Sequence, residues 1–250
     1  MMSAAEDQIN LDEAALLVAA HADATLSMPK ELARLDQMAD GAGSDLDGVL
    51  KRVFRELGFV GNQTSYYDPA NSMLPTVLER RTGIPITLAI VTIEIARRVG
   101  VSLLPVGMPG HFLIRSADDP DVFIDPFMSG ERLDRDGCEI AFHRLQGADI
   151  PFDDQWLEPI GAFDVVGRLL NNLKGIYTAS LKRQHLIWVL TLRIAVPGVP
   201  LSEHRELAAV LASAGRFLDA ATVLDRLSGL DPEHGDEHQW DAEALRAQLN

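Results

Sequence analysis

Three segments near the middle of the chain decide its fold: NSMLPTVLERRTGIPITLAIVTIEIARRVG at residues 71–100, VGMPGHFLIR at 106–115 and DVFIDPF at 121–127. The first predicts a helix that begins at Pro85 and stops at Gly100. This helix is apolar almost all round, so we expect it to be buried. The other two segments have the composition of short strands. A central helix against a small antiparallel sheet predicts an α+β fold.

The two strand segments carry a histidine and an aspartate, His111 and Asp125. Enzymes with a cysteine nucleophile place the thiol at a helix start, with a histidine base and an orienting carboxylate beside it. Adjacent antiparallel strands can bring His111 and Asp125 side by side. The same spacing also fits a strand histidine with satisfied hydrogen bonds and an aspartate that begins an Asp-Pro turn. Spacing alone favours that second interpretation.

Composition limits the classes of function that fit the chain. Its 250 residues suggest one large or two modest domains, and its formal charge of −15 opposes nonspecific binding to nucleic acid or an anionic membrane. A single cysteine, Cys138, allows no intrachain disulfide, which suits a reducing compartment. The N-terminus has acidic residues where a signal peptide needs positive charge. We therefore expect a cytoplasmic protein with no nucleic-acid or membrane partner.

The sequence predicts helices in the regions on both sides of this central part. We expect an N-terminal helical region at 1–60, a core at 61–155 and an all-α region at 160–250. In the last of these, Pro197 and Pro232 lie 35 residues apart, each shortly after a helix. That period, with small residues on one helix and a Gly turn before the next, is typical of tetratricopeptide repeats.

The block from Gly61 to Phe127 resembles the transglutaminase-like family of regulators of sirC expression (SirB-type proteins). The resemblance rests on GNQTSYYDPANSMLPTVLERRTGIPITLAIVTIEIARRVGV at residues 61–101, on VGMPGHFLIR and on FIDPF. Members of that family join a transglutaminase-like domain to tetratricopeptide repeats. The resemblance implies a papain-like transglutaminase core with N-terminal helices packed on it and a tetratricopeptide-like tail. It also implies that His111 is the base and Asp125 the orienting carboxylate.

The nucleophile position departs from the pattern of active members. Active transglutaminase-like domains carry a cysteine about fifteen residues before the glycine that ends the central helix, and that count from Gly100 leads here to Pro85. Proline has no nucleophilic atom. The nearest hydroxyl belongs to Thr87 and is far less acidic than a thiol. Cys138 lies beyond both strands, where a lone cysteine is more often a small buried apolar residue.

The loop before the central helix supplies the remaining candidate residues. By analogy with the fold, Tyr67, Asn71 and Ser72 could line a ligand cleft together with Pro85. The alternative is that these loop residues only shape a surface turn.

No motif predicts a metal or a cofactor. The histidines are scattered, and no phosphate-binding glycine loop occurs.

Two functions remain. The first, which we favour, is a noncatalytic peptide- or protein-binding regulatory protein (a pseudoenzyme), with its partner bound at the cleft or at the helical tail. The second is an amide hydrolase or acyltransferase that uses Thr87, or a water molecule activated by His111 and Asp125.

Overall fold

The computed structural model describes residues 9–248. It divides the chain into two compact units, one that ends at Leu169 and one that begins at Leu170. The N-terminal helices thus belong to the same compact unit as the central helix and the sheet. The division into regions at 1–60, 61–155 and 160–250 stays a prediction.

Helices make up the N-terminal part of the first unit, as the sequence predicts. They are α1 (Leu11–Ala22), α2 (Met28–Ala39) and α3 (Leu46–Leu50), which continues as a π-helical segment (Lys51–Glu56). The residue Asp45 caps the start of α3. The side chain of Asp45 accepts a hydrogen bond from the amide of Gly48 at 2.7 Å. An aspartate in this position satisfies an amide that has no partner within the helix.

The predicted central helix is confirmed as α5 (Pro85–Arg98), and a shorter helix, α4 (Leu74–Arg80), precedes it. Every residue from Pro85 to Ala96 is buried. The loops that precede these helices are joined by a short parallel pair, β1 (Val60–Gly61) and β2 (Thr82–Gly83). The central helix is therefore enclosed on all sides, as its apolar sequence requires.

A buried ion cluster ties α1 to α5. The guanidinium of Arg98 lies 2.6 Å from a carboxylate oxygen of Asp12 and 3.1 Å from one of Glu94. Glu94 also accepts the amide of Leu11 at 2.9 Å. Burial raises the pKa of Glu94, and the neighbouring carboxylate of Asp12 adds to the rise. The cluster supplies partners for charges that would otherwise be costly to bury.

The sheet that follows α5 is antiparallel and has the order β3-β4-β5-β6. Its strands are β3 (Leu103–Val106), β4 (Leu113–Ser116), β5 (Phe123–Asp125) and β6 (Glu131–Leu133). The sequence patterns missed β6 and placed His111 within a strand. His111 instead closes a turn just before β4, where Gly110 has a φ of +75° and the amide of His111 donates to Met108.

Helix α6 (Arg135–Gln146) places Cys138 and Phe142 in an apolar cluster with sheet residues such as Leu113 and Phe123. The cluster includes residues of β4 and β5, the strands that follow His111 and end at Asp125.

Five helices follow, as expected for the predicted all-α region at 160–250. They are α7 (Ala162–Ala179), α8 (Arg183–Arg193), α9 (Ser202–Ser213), α10 (Phe217–Leu230) and α11 (Gly235–Ala247). The first unit ends within α7, and the second contains the rest. The identity of these helices as tetratricopeptide repeats stays a prediction. Across the described part of the chain, no helix has the length and apolarity needed to cross a membrane.

Candidate functional site

The structure brings the predicted histidine and aspartate together. Nε2 of His111 lies 2.8 Å from Oδ2 of Asp125. The other carboxylate oxygen, Oδ1, accepts the backbone amides of Phe127 at 2.9 Å and Met128 at 3.1 Å. Asp125 is the last residue of β5 and is buried. Since both oxygens have partners, the carboxylate is fixed in orientation, and it fixes one nitrogen of the imidazole.

The second ring nitrogen of His111, Nδ1, is open. It makes no hydrogen bond with any residue in the described range 9–248. Within that range, the side-chain atoms that are closed off from solvent and lack a hydrogen-bond partner are Ser72 Oγ and His204 Nδ1. Nδ1 of His111 is not among them, so solvent can reach it. The side chain of His111 is 9% exposed. An imidazole held at one nitrogen by a carboxylate, with the other open, has the arrangement of a general base.

A half-buried arginine that the sequence patterns did not single out shapes the turn before His111. Arg168, on α7, donates to the backbone carbonyls of Gly107, Met108 and His111. A Cβ on Gly107 would lie 2.7 Å from this guanidinium, so a larger residue there would displace the guanidinium. Burial lowers the pKa of Arg168. Because Arg168 and the turn lie in the same compact unit, this contact belongs to the framework of the site.

A row of aromatic rings leads from His111 to the surface. The ring centroid of Phe127 lies 6.5 Å from that of His111, Tyr66 lies 5.9 Å from Phe127, and Tyr67 lies 5.3 Å from Tyr66. Tyr67 is 78% exposed. Gly61 permits this packing, because a Cβ there would lie 2.5 Å from the ring of Phe127. The row supplies an apolar surface next to the imidazole of His111.

Thr87, the candidate hydroxyl nucleophile, is fully buried. Its Oγ1 donates to the carbonyl oxygen of Asn71 at 2.8 Å and accepts the amide of Ile84 at 3.1 Å. These bonds cap the start of α5 and hold the preceding loop against it. The geometry gives the hydroxyl a structural role.

The other loop candidates differ in exposure. Tyr67 faces solvent, whereas Asn71, Ser72 and Pro85 are buried. The side-chain amide of Asn71 donates to the carbonyl oxygens of Ser65 and Tyr66 and so shapes the loop from within. That these residues line a ligand cleft stays a prediction.

Cys138 is fully enclosed. Burial, with the nearby carboxylates of Asp134 and Asp125, raises the pKa of its thiol to about 12. Such a thiol is protonated at neutral pH, and the reactive form of cysteine is the thiolate. Residues 9–248 also contain no group of three or more His, Cys, Asp or Glu side chains placed to hold a metal ion.

Comparison with known families identifies the superfamily of the chain. The model of the transglutaminase-like superfamily matches residues 10–171. The chain belongs to this superfamily. The matched range contains the N-terminal helices, the His111–Asp125 pair and Arg168, so the superfamily match takes in the whole framework of the site.

Several relatives share parts of the chain. A UPF0162 protein of Xylella fastidiosa is 41% identical over 133 residues, or 52% of this chain and 47% of the relative. A UPF0162 protein of Pseudomonas aeruginosa is 33% identical over 186 residues, or 70% of this chain and 68% of the relative. The human F-box only protein 21 is 37% identical over 103 residues, or 38% of this chain and 16% of the relative. The chain thus spans about half the length of the first of these relatives, and no solved structure matches it.

Proposed function

We propose that this transglutaminase-like chain is a noncatalytic peptide- or protein-binding regulatory protein, in keeping with its resemblance to SirB-type proteins. The observation that carries the proposal is the start of α5. Pro85 is buried at the position where active members carry cysteine, and the hydroxyl of Thr87 is enclosed and bonded to Asn71. No nucleophilic atom is presented at the point where the superfamily's chemistry needs one.

The features that remain suit binding. The open Nδ1 of His111 offers one hydrogen-bonding group, and the row of Phe127, Tyr66 and Tyr67 offers an apolar surface beside it. A few polar groups placed within an apolar lining are typical of recognition sites. We expect a peptide segment with an apolar side chain to bind there in the cytoplasm. A second partner surface lies on the C-terminal helices. The charge of −15 disfavours nucleic acid as the partner.

A second candidate function is an amide hydrolase in which His111 activates water. The observation that favours it is the pairing of His111 with Asp125 at 2.8 Å, with Nδ1 left open. A water molecule could then act as the nucleophile without Thr87.

One experiment separates the two. Peptides selected from a random library on the full chain are incubated with the wild type, with His111→Gln and with the control His143→Gln, a histidine on α6. Binding is measured by fluorescence anisotropy, and the peptide is then analysed by mass spectrometry. The proposal predicts weaker binding to His111→Gln alone and an unchanged peptide mass. Cleavage or acyl transfer that is lost in His111→Gln would establish the enzyme instead.

A further inference from the structure

A cavity of about 430 Å³ lies in the C-terminal unit. Helix α10 packs against both α9 and α11, and the cavity opens between those two helices. Ala208, Ala209 and Ala212 line it from α9, and Leu224 of α10 forms part of its floor. The α9 residues recur at helical spacing, so the cavity is a groove that follows the helix. We call it the α9–α11 groove.

The groove contains one cation that already has partners. The guanidinium of Arg205 lies 3.2 Å from a carboxylate oxygen of Asp231. Nε2 of His238 lies 3.0 Å from the same oxygen. The carboxylate of Asp231 therefore neutralises the charge of Arg205.

His238 lines the groove although its side chain is only 3% exposed. Its Nδ1 makes no hydrogen bond within the described residues. It is not one of the solvent-inaccessible atoms that lack a partner, so solvent can reach it. His238 thus contributes its ring to the lining of the groove.

Two carboxylates on the opposite wall have no partner. Glu237 and Asp241 lie one turn apart on α11, and both line the groove. Neither makes an ion pair or a hydrogen bond with any residue between 9 and 248. With Arg205 neutralised by Asp231, these two carboxylates leave the groove negatively charged, and the complementary ligand is cationic.

We propose that the α9–α11 groove binds a basic helical segment of a partner protein. Two Lys or Arg side chains one turn apart on that segment pair with Glu237 and Asp241, and its small or apolar face packs on the alanines. The wall from Glu237 to Leu245 is about 12 Å long, enough for two turns of a partner helix. Alanine side chains let a second helix backbone approach closely. The inference gives the chemistry of the partner surface proposed above for the C-terminal helices.

The test uses the whole 250-residue chain and two synthetic probes. One is a helical alanine–leucine peptide of about 16 residues, about 24 Å long, with lysines four residues apart. The other carries glutamate in place of each lysine. Binding is followed by amide chemical shifts in the NMR spectrum. The lysine peptide is expected to shift residues of α9 and α11 and to bind about fivefold or more weakly to the double variant Glu237→Gln/Asp241→Asn. The matched control Asp236→Asn/Glu243→Gln removes two charges from the same helix outside the groove and is expected to leave binding unchanged.

Other outcomes overturn the inference. Equal binding of the glutamate peptide, or of the lysine peptide to both double variants, would show that charge does not select the ligand. If millimolar peptide changed no amide chemical shift in the groove, the groove would not be a binding site. A dimer in sedimentation that Ala209→Leu disrupts would show that a second copy of the chain covers the groove. Because His111→Gln leaves the groove intact, failure of the cleft proposal is measured separately.

Discussion

The guanidinium of Arg168 donates to the carbonyl oxygen of His111 at 3.1 Å, and to that of Met108 at 2.7 Å. The orientation of the imidazole thus depends on a side chain 57 residues further along the chain. Asp125 fixes the ring from one side, and Arg168 fixes the backbone from the other. A binding site that needs His111 in one orientation needs both.

Arg168→Met is expected to cost about 2–4 kcal/mol of unfolding free energy, because it leaves several carbonyls without a donor. Urea unfolding measures the loss. The ¹⁵N shifts of the His111 ring are expected to change in the folded variant as well, and a merely structural role would leave them unchanged. Arg80→Met is the control, since Arg80 forms an exposed ion pair with Asp68 and its loss is expected to cost less than about 1 kcal/mol.

Thr87→Val removes the hydroxyl that joins Asn71 to the start of α5. The variant keeps the shape of the side chain but leaves a buried carbonyl and a buried amide without partners. We expect a loss of about 1–3 kcal/mol in urea unfolding. Thr87→Ser keeps the hydroxyl and is expected to retain most of the stability. If Thr87→Val unfolded at the wild-type urea concentration, the capping role assigned to this residue would be wrong.

The sequence patterns were sufficient to predict the central helix, whereas the pairing of His111 with Asp125 followed from the family resemblance, because spacing alone favoured separate structural roles for the two residues. An apolar run between Pro85 and Gly100 allows only a buried helix, and FIDPF ends a strand at a turn. Periodicity and turn chemistry are local properties, and they are visible in a short segment of chain.

Contacts between distant segments could not be predicted in this way. Nothing near Arg168 in the sequence indicates that its guanidinium reaches a turn about 60 residues earlier. The aromatic row required the close approach of Gly61 to Phe127, for which an isolated glycine is only a weak sign. Strand β6 has three residues, two of them charged, and its sequence lacks the alternation that marks a strand.

Cys138 is expected to be inert in the folded protein. Its thiol is enclosed and its pKa is raised to about 12, so a disulfide reagent at pH 8 meets neither an accessible sulfur nor a thiolate. The reaction is followed by absorbance. Its rate is expected to be no faster than the rate at which the folded chain opens and exposes Cys138. The same reagent should react at once after unfolding in urea. Rapid labelling of the native chain would contradict the enclosed position of Cys138.

His204 is expected to make the C-terminal unit sensitive to acid. It is buried on α9, and its Nδ1 has no hydrogen-bond partner. Burial lowers the pKa of His204 from its ordinary value of 6.5, and the charge of Arg226 adds to the effect. The folded state therefore binds this proton less readily than the unfolded state does. The stability contribution is complete above pH 6.5 and is lost as the pH falls from 6.5 through the lowered pKa.

The variant His204→Leu tests this expectation, because it removes both the titrating group and a buried polar atom without a partner. Amide hydrogen exchange in α9, measured by NMR between pH 7 and pH 5, reports the local stability. The wild type is expected to lose up to about 1.4 kcal/mol per pH unit more than the variant over this range, the slope for one proton. His185→Asn, a change at an exposed histidine of the same unit, is expected to keep the wild-type slope. Parallel profiles for the wild type and His204→Leu would show that another group causes the acid sensitivity.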